Sequence, residues 1–214
     1  MTSVKRPQEK RPYVSSVRAE QAAATRSRII AAASECFSES GWSGTTLARI
    51  AERAGVTPQA VHLSVGSKPS LLMAALGEAV GGAAATRPQF ERALFRDALR
   101  ADASNAERAR AFAAALGAIH VRAGRLFEVL AQASQTDPDL QRARAKIKDR
   151  RLELVRGMVR ASGRRRGAAF ERLVDLIFVL TSTSVHNEFA SRGWTADAYQ
   201  EWLTEALTRL LENG

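Results

Sequence analysis

Residues 47 to 72 read LARIAERAGVTPQAVHLSVGSKPSLL, and this stretch decides the fold. Leu47, Ile50, Ala51 and Ala54 recur at i, i+3, i+4 and i+7, which gives a short helix one apolar face while Arg49, Glu52 and Arg53 point to water. Gly55 ends that helix, because a left-handed position is nearly free for glycine and costly for a residue with Cβ. Val56 plugs the angle that follows. Thr57 caps the free N–H groups of a second helix, and Pro58 occupies its first turn, where no N–H is needed. That helix runs from Pro58 to about Ser64. Its Val61, with Val65 just beyond it, faces inward, leaving Gln59, Ala60, His62, Leu63 and Ser64 on the outside. Two short helices about a glycine turn are the pattern of a helix-turn-helix, whose second helix enters the major groove of DNA.

On either side of this stretch the chain reads as all-α. It has 214 residues, 45% hydrophobic and 25% charged, ordinary values for a soluble protein of one or two domains. No alternating run bounded by turn residues suggests a strand. A first helix is expected from about Ala22 to Glu39, with Ile29, Ala33, Cys36 and Phe37 on one face. A fourth is expected from Ser67 or Lys68 to about Val80. Beyond it, cap and breaker clusters stand at Pro88, Ser104-Asn105, Thr136-Asp137-Pro138, Ser162-Gly163 and Ser191 to Thr195. They delimit helical segments at about Gln89–Ala103, Ala106–Gly117, Ala118–Gln135, Asp139–Ala161, Gly167–Ser191 and Ala196–Glu212, for nine or ten helices in all. No internal repeat emerges.

The net charge of +10 favours a polyanionic partner. Seven cations (Lys5, Arg6, Lys10, Arg11, Arg18, Arg26 and Arg28) stand against Glu9 and Glu20 in the first 28 residues. Residues 1–21 are therefore expected to form a basic flexible arm. It is a solvated tail, or an arm that follows the DNA backbone or enters the adjacent minor groove, or both in turn, disordered alone and ordered on DNA. The single cysteine, Cys36, allows no internal disulfide and falls beside Phe37 on the apolar face. No signal-peptide pattern follows the basic start, and the longest apolar run, Leu173 to Leu180, is short and contains Asp175. A cytoplasmic chain without membrane contact is expected.

The stretch from Thr25 to Leu72 resembles, without a gap, the N-terminal domain of the TetR family of bacterial transcriptional regulators. The resemblance rests on Arg26, Ile30, Ala33 and Phe37 in the first helix, Gly41 at its end, and the paired Thr45 and Thr46. Ile50-Ala51, Gly55-Val56, Ser67-Lys68 and Leu71-Leu72 complete it. Three positions depart from the family pattern: His62 stands where tyrosine is usual, Val65 where phenylalanine is, and Pro69 where an acid commonly follows the lysine. The resemblance implies a three-helix DNA-binding domain over residues 22–66 and a ligand-sensing and dimerisation domain over residues 67–214. It also implies a homodimeric repressor that binds a palindromic operator and is released by a small-molecule effector. Two apolar stripes, Phe170, Leu173, Val174, Ile177, Leu180 and Val185, and Tyr199, Trp202, Leu203, Ala206, Leu207, Leu210 and Leu211, would then pair with a twofold mate through the last two helices.

On the same resemblance Thr45 and Thr46 cap the second helix, and one of them donates to a phosphate. Lys68 and His62 are further phosphate candidates. Gln59 is the first choice for a base reader, since its amide pairs bidentately with adenine. Ala60, Thr57, Leu63 and Ser64 complete the interface, with Thr57 otherwise a cap and Leu63 otherwise a packing residue. For an effector site, Phe95, Phe112, His120, Phe127, Met158, Phe178 and His186 interrupt alanine- and leucine-rich faces, and each has core packing as its alternative. The expected effector is an apolar small molecule; His120, Arg122 and Arg125 suggest an anionic group on it unless the arginines are solvated. No nucleophile elbow, phosphate loop or zinc spacing supports an enzyme, a metal or a cofactor. Two rivals stay open: a dimer of this fold whose recognition helix no longer reads sequence, and a basic protein that coats DNA without preference.

Overall fold

The computed structural model describes residues 13–81 and 94–213. Helix α1, Tyr13–Gly44, is the longest, and its backbone breaks from helical angles at Gly41 (φ 66°, ψ −168°). The expected start at Ala22 is thus corrected to Tyr13: no breaker interrupts the run before Gly41, and AEQAAA is rich in good helix formers. Part of the expected arm, residues 13–21, is therefore helical; residues 1–12 lie outside the described residues.

Helices α2 (Leu47–Ala54), α3 (Pro58–Ser64) and α4 (Lys68–Gly81) follow at the expected positions. With α1 they close on a small core in which Ile29, Ala33, Cys36, Phe37, Ile50, Val61, Leu71 and Leu72 are all fully buried. Burial raises the thiol pKa of Cys36, so it packs as a small apolar group.

The remainder is built around α5 (Asn105–Ala133), which begins in a capping box between Ser104 and Glu107. Sequence patterning splits this element at Gly117, whereas the helix runs through. Gly117 is buried beside Gln200, whose Oε1 would lie 3.4 Å from a Cβ placed there, so the glycine admits a neighbouring helix and does not end its own. Helix α6 (Pro138–Ala161) starts at Asp137, whose carboxylate accepts from the amides of Asp139 and Leu140. The segment expected as one helix from Gly167 to Ser191 is two, α7 (Ala168–Leu180) and α8 (Thr183–Ser191). Thr181 is buried with its hydroxyl donating to the Ile177 carbonyl at 2.7 Å, and Ser182 caps the new helix, so local side-chain bonding to the backbone breaks the run.

Helix α9 (Ala196–Asn213) packs along α5 and buries Tyr199, Leu203, Leu207 and Leu211. Arg108, 1% exposed, donates to the carbonyls of Ala98, Ala103 and Ala161 and so ties the start of α5 to a 3₁₀ turn at Asp97–Leu99 and to the end of α6. Described residues form nine α-helices and no strand, and none of these helices is long and apolar enough to cross a membrane.

Candidate functional site

The α2–α3 pair is held by caps at each end. Thr46 Oγ1 accepts from the Arg49 amide at 3.2 Å, and Thr57 Oγ1 accepts from the Ala60 amide at 3.2 Å. Between them Gly55 is left-handed (φ 65°, ψ 39°); its amide donates to Glu52 and that of Val56 to Ala51, which satisfies the last carbonyls of α2. Arg53 makes a two-pronged bond to Glu39, 2.7 Å on each side, fixing α2 to α1 and holding the Glu39 carboxyl below its ordinary range. At the far end of α3, Arg26 donates to the Ser64 carbonyl.

This framework turns one side of α3 outward. Val61 is fully buried, while Gln59 and His62 are exposed and Leu63 is 78% exposed. A leucine left in water on a helix whose back is in the core is placed for a contact outside the chain. Ala60 and Ser64 are half-buried at the flanks, and Thr46 and Thr57 are exposed at the helix starts.

Two expected phosphate contacts are placed differently. Thr45 is fully buried, its hydroxyl 2.9 Å from the Cys36 carbonyl and 2.8 Å from that of Gly41. It closes the corner where α1 kinks and is out of reach of a phosphate, so the pair divides into one structural threonine and one exposed cap. Lys68 is half-buried: its ammonium donates to the Trp42 carbonyl and lies 4.3 Å from the Trp42 ring centroid, while Trp42 stacks on Phe37. Burial lowers the Lys68 pKa. The sequence reading missed Trp42 as the partner that braces α4 against this corner.

A cavity of about 780 Å³ lies between α4, α5, α6 and α8. Of the expected lining residues, Phe95, His120 and Phe127 reach it. Phe112 is 1% exposed and packs behind Phe95, ring centroids 4.9 Å apart; Met158 is core. Phe178 lies under the Arg151 guanidinium, and His186 backs the His120 ring at 4.7 Å. These four are corrected to supporting positions, since each apolar or aromatic interruption marks a packing partner as readily as a cavity wall. Burial, with smaller effects from His186 and Arg151, pushes the His120 pKa down to about 3, so its ring is neutral.

Arg122 and Arg125 also lie off the cavity wall. Arg122 donates to the carbonyls of Ala79 and Val80 at the end of α4, and Arg125 to the Ser38 carbonyl of α1. Arg125 also pairs with Glu128, a cavity residue whose other carboxylate oxygen accepts from Asn187. The cations that do line the cavity are on α6: Arg144, Lys148 and Arg151 among them. The sequence carried a signal for them, since Arg144, Lys148 and Arg151 follow the i, i+4, i+7 spacing of one helix face, with Ile147 and Leu154 beside them.

Residues 29–75 match the family model of bacterial regulatory proteins, tetR family. Among solved structures, the chain is similar to a TetR-like transcriptional regulator from Rhodococcus sp. RHA1. The TM-score is 0.62 at 19% identity, over 89% of this chain and 97% of that one. No curated protein matches the sequence.

Proposed function

From the premise that residues 29–75 are a tetR-family helix-turn-helix domain, we propose that the chain is a ligand-responsive transcriptional regulator, a repressor that binds a palindromic operator as a homodimer. The observation that carries this reading is the outward face of α3, where Gln59, His62 and Leu63 stand exposed on a helix fixed at both ends and buried behind. Gln59 reads adenine through its amide, and Leu63 meets a thymine methyl group. His62, Thr57, Ala60 and Ser64 line the groove. Thr46, at a helix N-terminus, offers its hydroxyl and the free amides of α2 to a phosphate. Lys68 adds charge beside it while bracing α4.

The stripes expected to meet a twofold mate are largely spent on the chain's own core, where Phe170, Leu173, Val174, Ile177, Leu203 and Leu207 are buried, so the dimer reading has its support in the outward faces of α7 and α9. Leu176 and Val179 are 53% and 59% exposed on α7, and Trp202, Ala206 and Leu210 are only half-covered on α9. A second copy would bury these side chains and set two recognition helices about 34 Å apart.

Release follows from α4. Its start is braced on Trp42 through Lys68, its end is capped by Arg122, and Met73, Leu76 and Val80 on one face form part of the cavity wall. An effector that fits the cavity in only one position of α4 shifts the spacing of the recognition helices; one that fits both positions equally changes nothing. Footprinting on the DNA flanking the chain's own gene tests the reading. Protection of a twofold-symmetric stretch is expected, and uniform protection at every sequence contradicts it.

A further inference from the structure

The cavity has two unlike walls. Met73, Leu76, Phe95, Ile119 and Phe127 make α4, α5 and their neighbourhood apolar, whereas α6 presents Arg144, Lys148 and Arg151. Among the described residues none of these three cations has a carboxylate partner, and the one acid that lines the wall, Glu128, is already engaged by Arg125 and Asn187. Arg151 is the most telling. It is held at half-burial with its guanidinium 3.8 Å over the Phe178 ring and one N–H 3.5 Å from the Thr181 hydroxyl, which leaves most of its donors unused. A charge withdrawn from water without a counter-ion is costly, and an anion entering the cavity would relieve that cost. His120 supplies the second observation: it is 4% exposed, lines the cavity, and its Nδ1 has no hydrogen-bond partner.

We infer that the cavity takes an amphipathic organic anion, a carboxylate on an apolar body, with the carboxylate on Arg151 and Arg144, Lys148 nearer the opening, and the apolar body against α4 and α5. The neutral His120 ring offers a hydrogen bond to a polar atom of the same molecule. The volume suits a ligand of drug-like size. The guanidinium fork matches a carboxylate in geometry as well as charge, which makes the head group the source of selectivity.

This inference rests on the effector reading and names the chemistry of that site. Its test is calorimetric titration of the full chain, without DNA, by decanoate, decanol and decylamine, and by naphthoate and naphthylmethanol. Each carboxylate is expected to bind at least about tenfold more tightly than its alcohol, and Arg151→Met to remove that difference. Should that variant fail to fold, Arg144→Met and the matched probes on the unmodified protein give the same comparison. Alcohols binding as well as carboxylates, the amine binding best, or binding by none of the probes would overturn the inference. A protein that binds the carboxylates yet selects no operator upholds the ligand class and overturns the regulator reading. One that selects an operator and treats all probes alike overturns the ligand class only.

Discussion

Arg125 Nε donates to the main-chain carbonyl of Ser38 at 3.2 Å, tying the middle of α5 to the last turns of α1. The same guanidinium pairs with Glu128 on the cavity wall, so a side chain that lines the cavity and the helix that carries the α2–α3 pair share one arginine. A molecule that draws Glu128 or Asn187 into new bonds alters the Arg125–Ser38 contact. Arg125→Met is predicted to keep operator affinity within about threefold, since exposed pairs contribute little to stability. Under the proposed release, any loss of DNA binding on adding decanoate is also predicted to be blunted. Fluorescence anisotropy on a labelled operator, with and without decanoate, measures both; an unchanged response would show that coupling bypasses this arginine.

The two adjacent threonines should separate cleanly. Thr45→Val removes the buried hydroxyl's bonds to the Cys36 and Gly41 carbonyls and is expected to cost about 1–3 kcal/mol in urea unfolding, with DNA affinity of the folded protein unchanged. Thr46→Ala removes an exposed cap, costs about 1 kcal/mol, and lowers affinity for every sequence alike. The opposite assignment, with Thr45→Val selectively losing DNA affinity, would contradict the buried role.

His120 makes stability depend on pH. Its pKa falls from 6.5 to about 3 in the fold, so between those values the unfolded chain binds a proton that the folded chain does not. Stability from this group is present above pH 6.5 and is lost as pH falls toward 3. From pH 7 to pH 5 the loss is about 2 kcal/mol. His120→Phe, which suits the aromatic cluster with His186 and Tyr199, is expected to unfold with a correspondingly smaller change across that interval. Equal pH dependence in the two proteins would contradict the neutral buried imidazole.

Exposed Leu176 and Val179 predict the assembly surface. The unmodified protein is predicted to be a dimer by light scattering, and Leu176→Glu with Val179→Glu to yield a monomer at the same concentration, with helical content retained. A dimer that survives both charges would place the interface elsewhere.

Helix periodicity and caps were enough to read the α2–α3 pair, because its signals are local: Gly55, Thr57 and Pro58 act on their own neighbours. The break expected at Gly117 and the unbroken helix expected from Gly167 to Ser191 both fail because the outcome depends on tertiary surroundings, a helix at Gln200 in one case and the buried, backward-bonded hydroxyl of Thr181 in the other. The cavity was only half legible for the same reason. Phe95 and Phe112 look alike in sequence, yet one lines the space and the other supports it. Arg122 and Arg125 suggest an effector anion in the sequence, yet both lie off the cavity and bond to carbonyls on α4 and α1, which no spacing within α5 reveals.

The most direct measurement is selection from a random-sequence duplex pool by the purified full chain at physiological salt, run beside Gln59→Ala. Enrichment of a twofold palindrome with half-sites about one helical turn apart is predicted, and Gln59→Ala should lose discrimination at one adenine of each half-site by about 1–3 kcal/mol. Salt-labile binding with no enriched sequence, or a palindrome read identically by Gln59→Ala, would contradict sequence readout through the exposed face of α3.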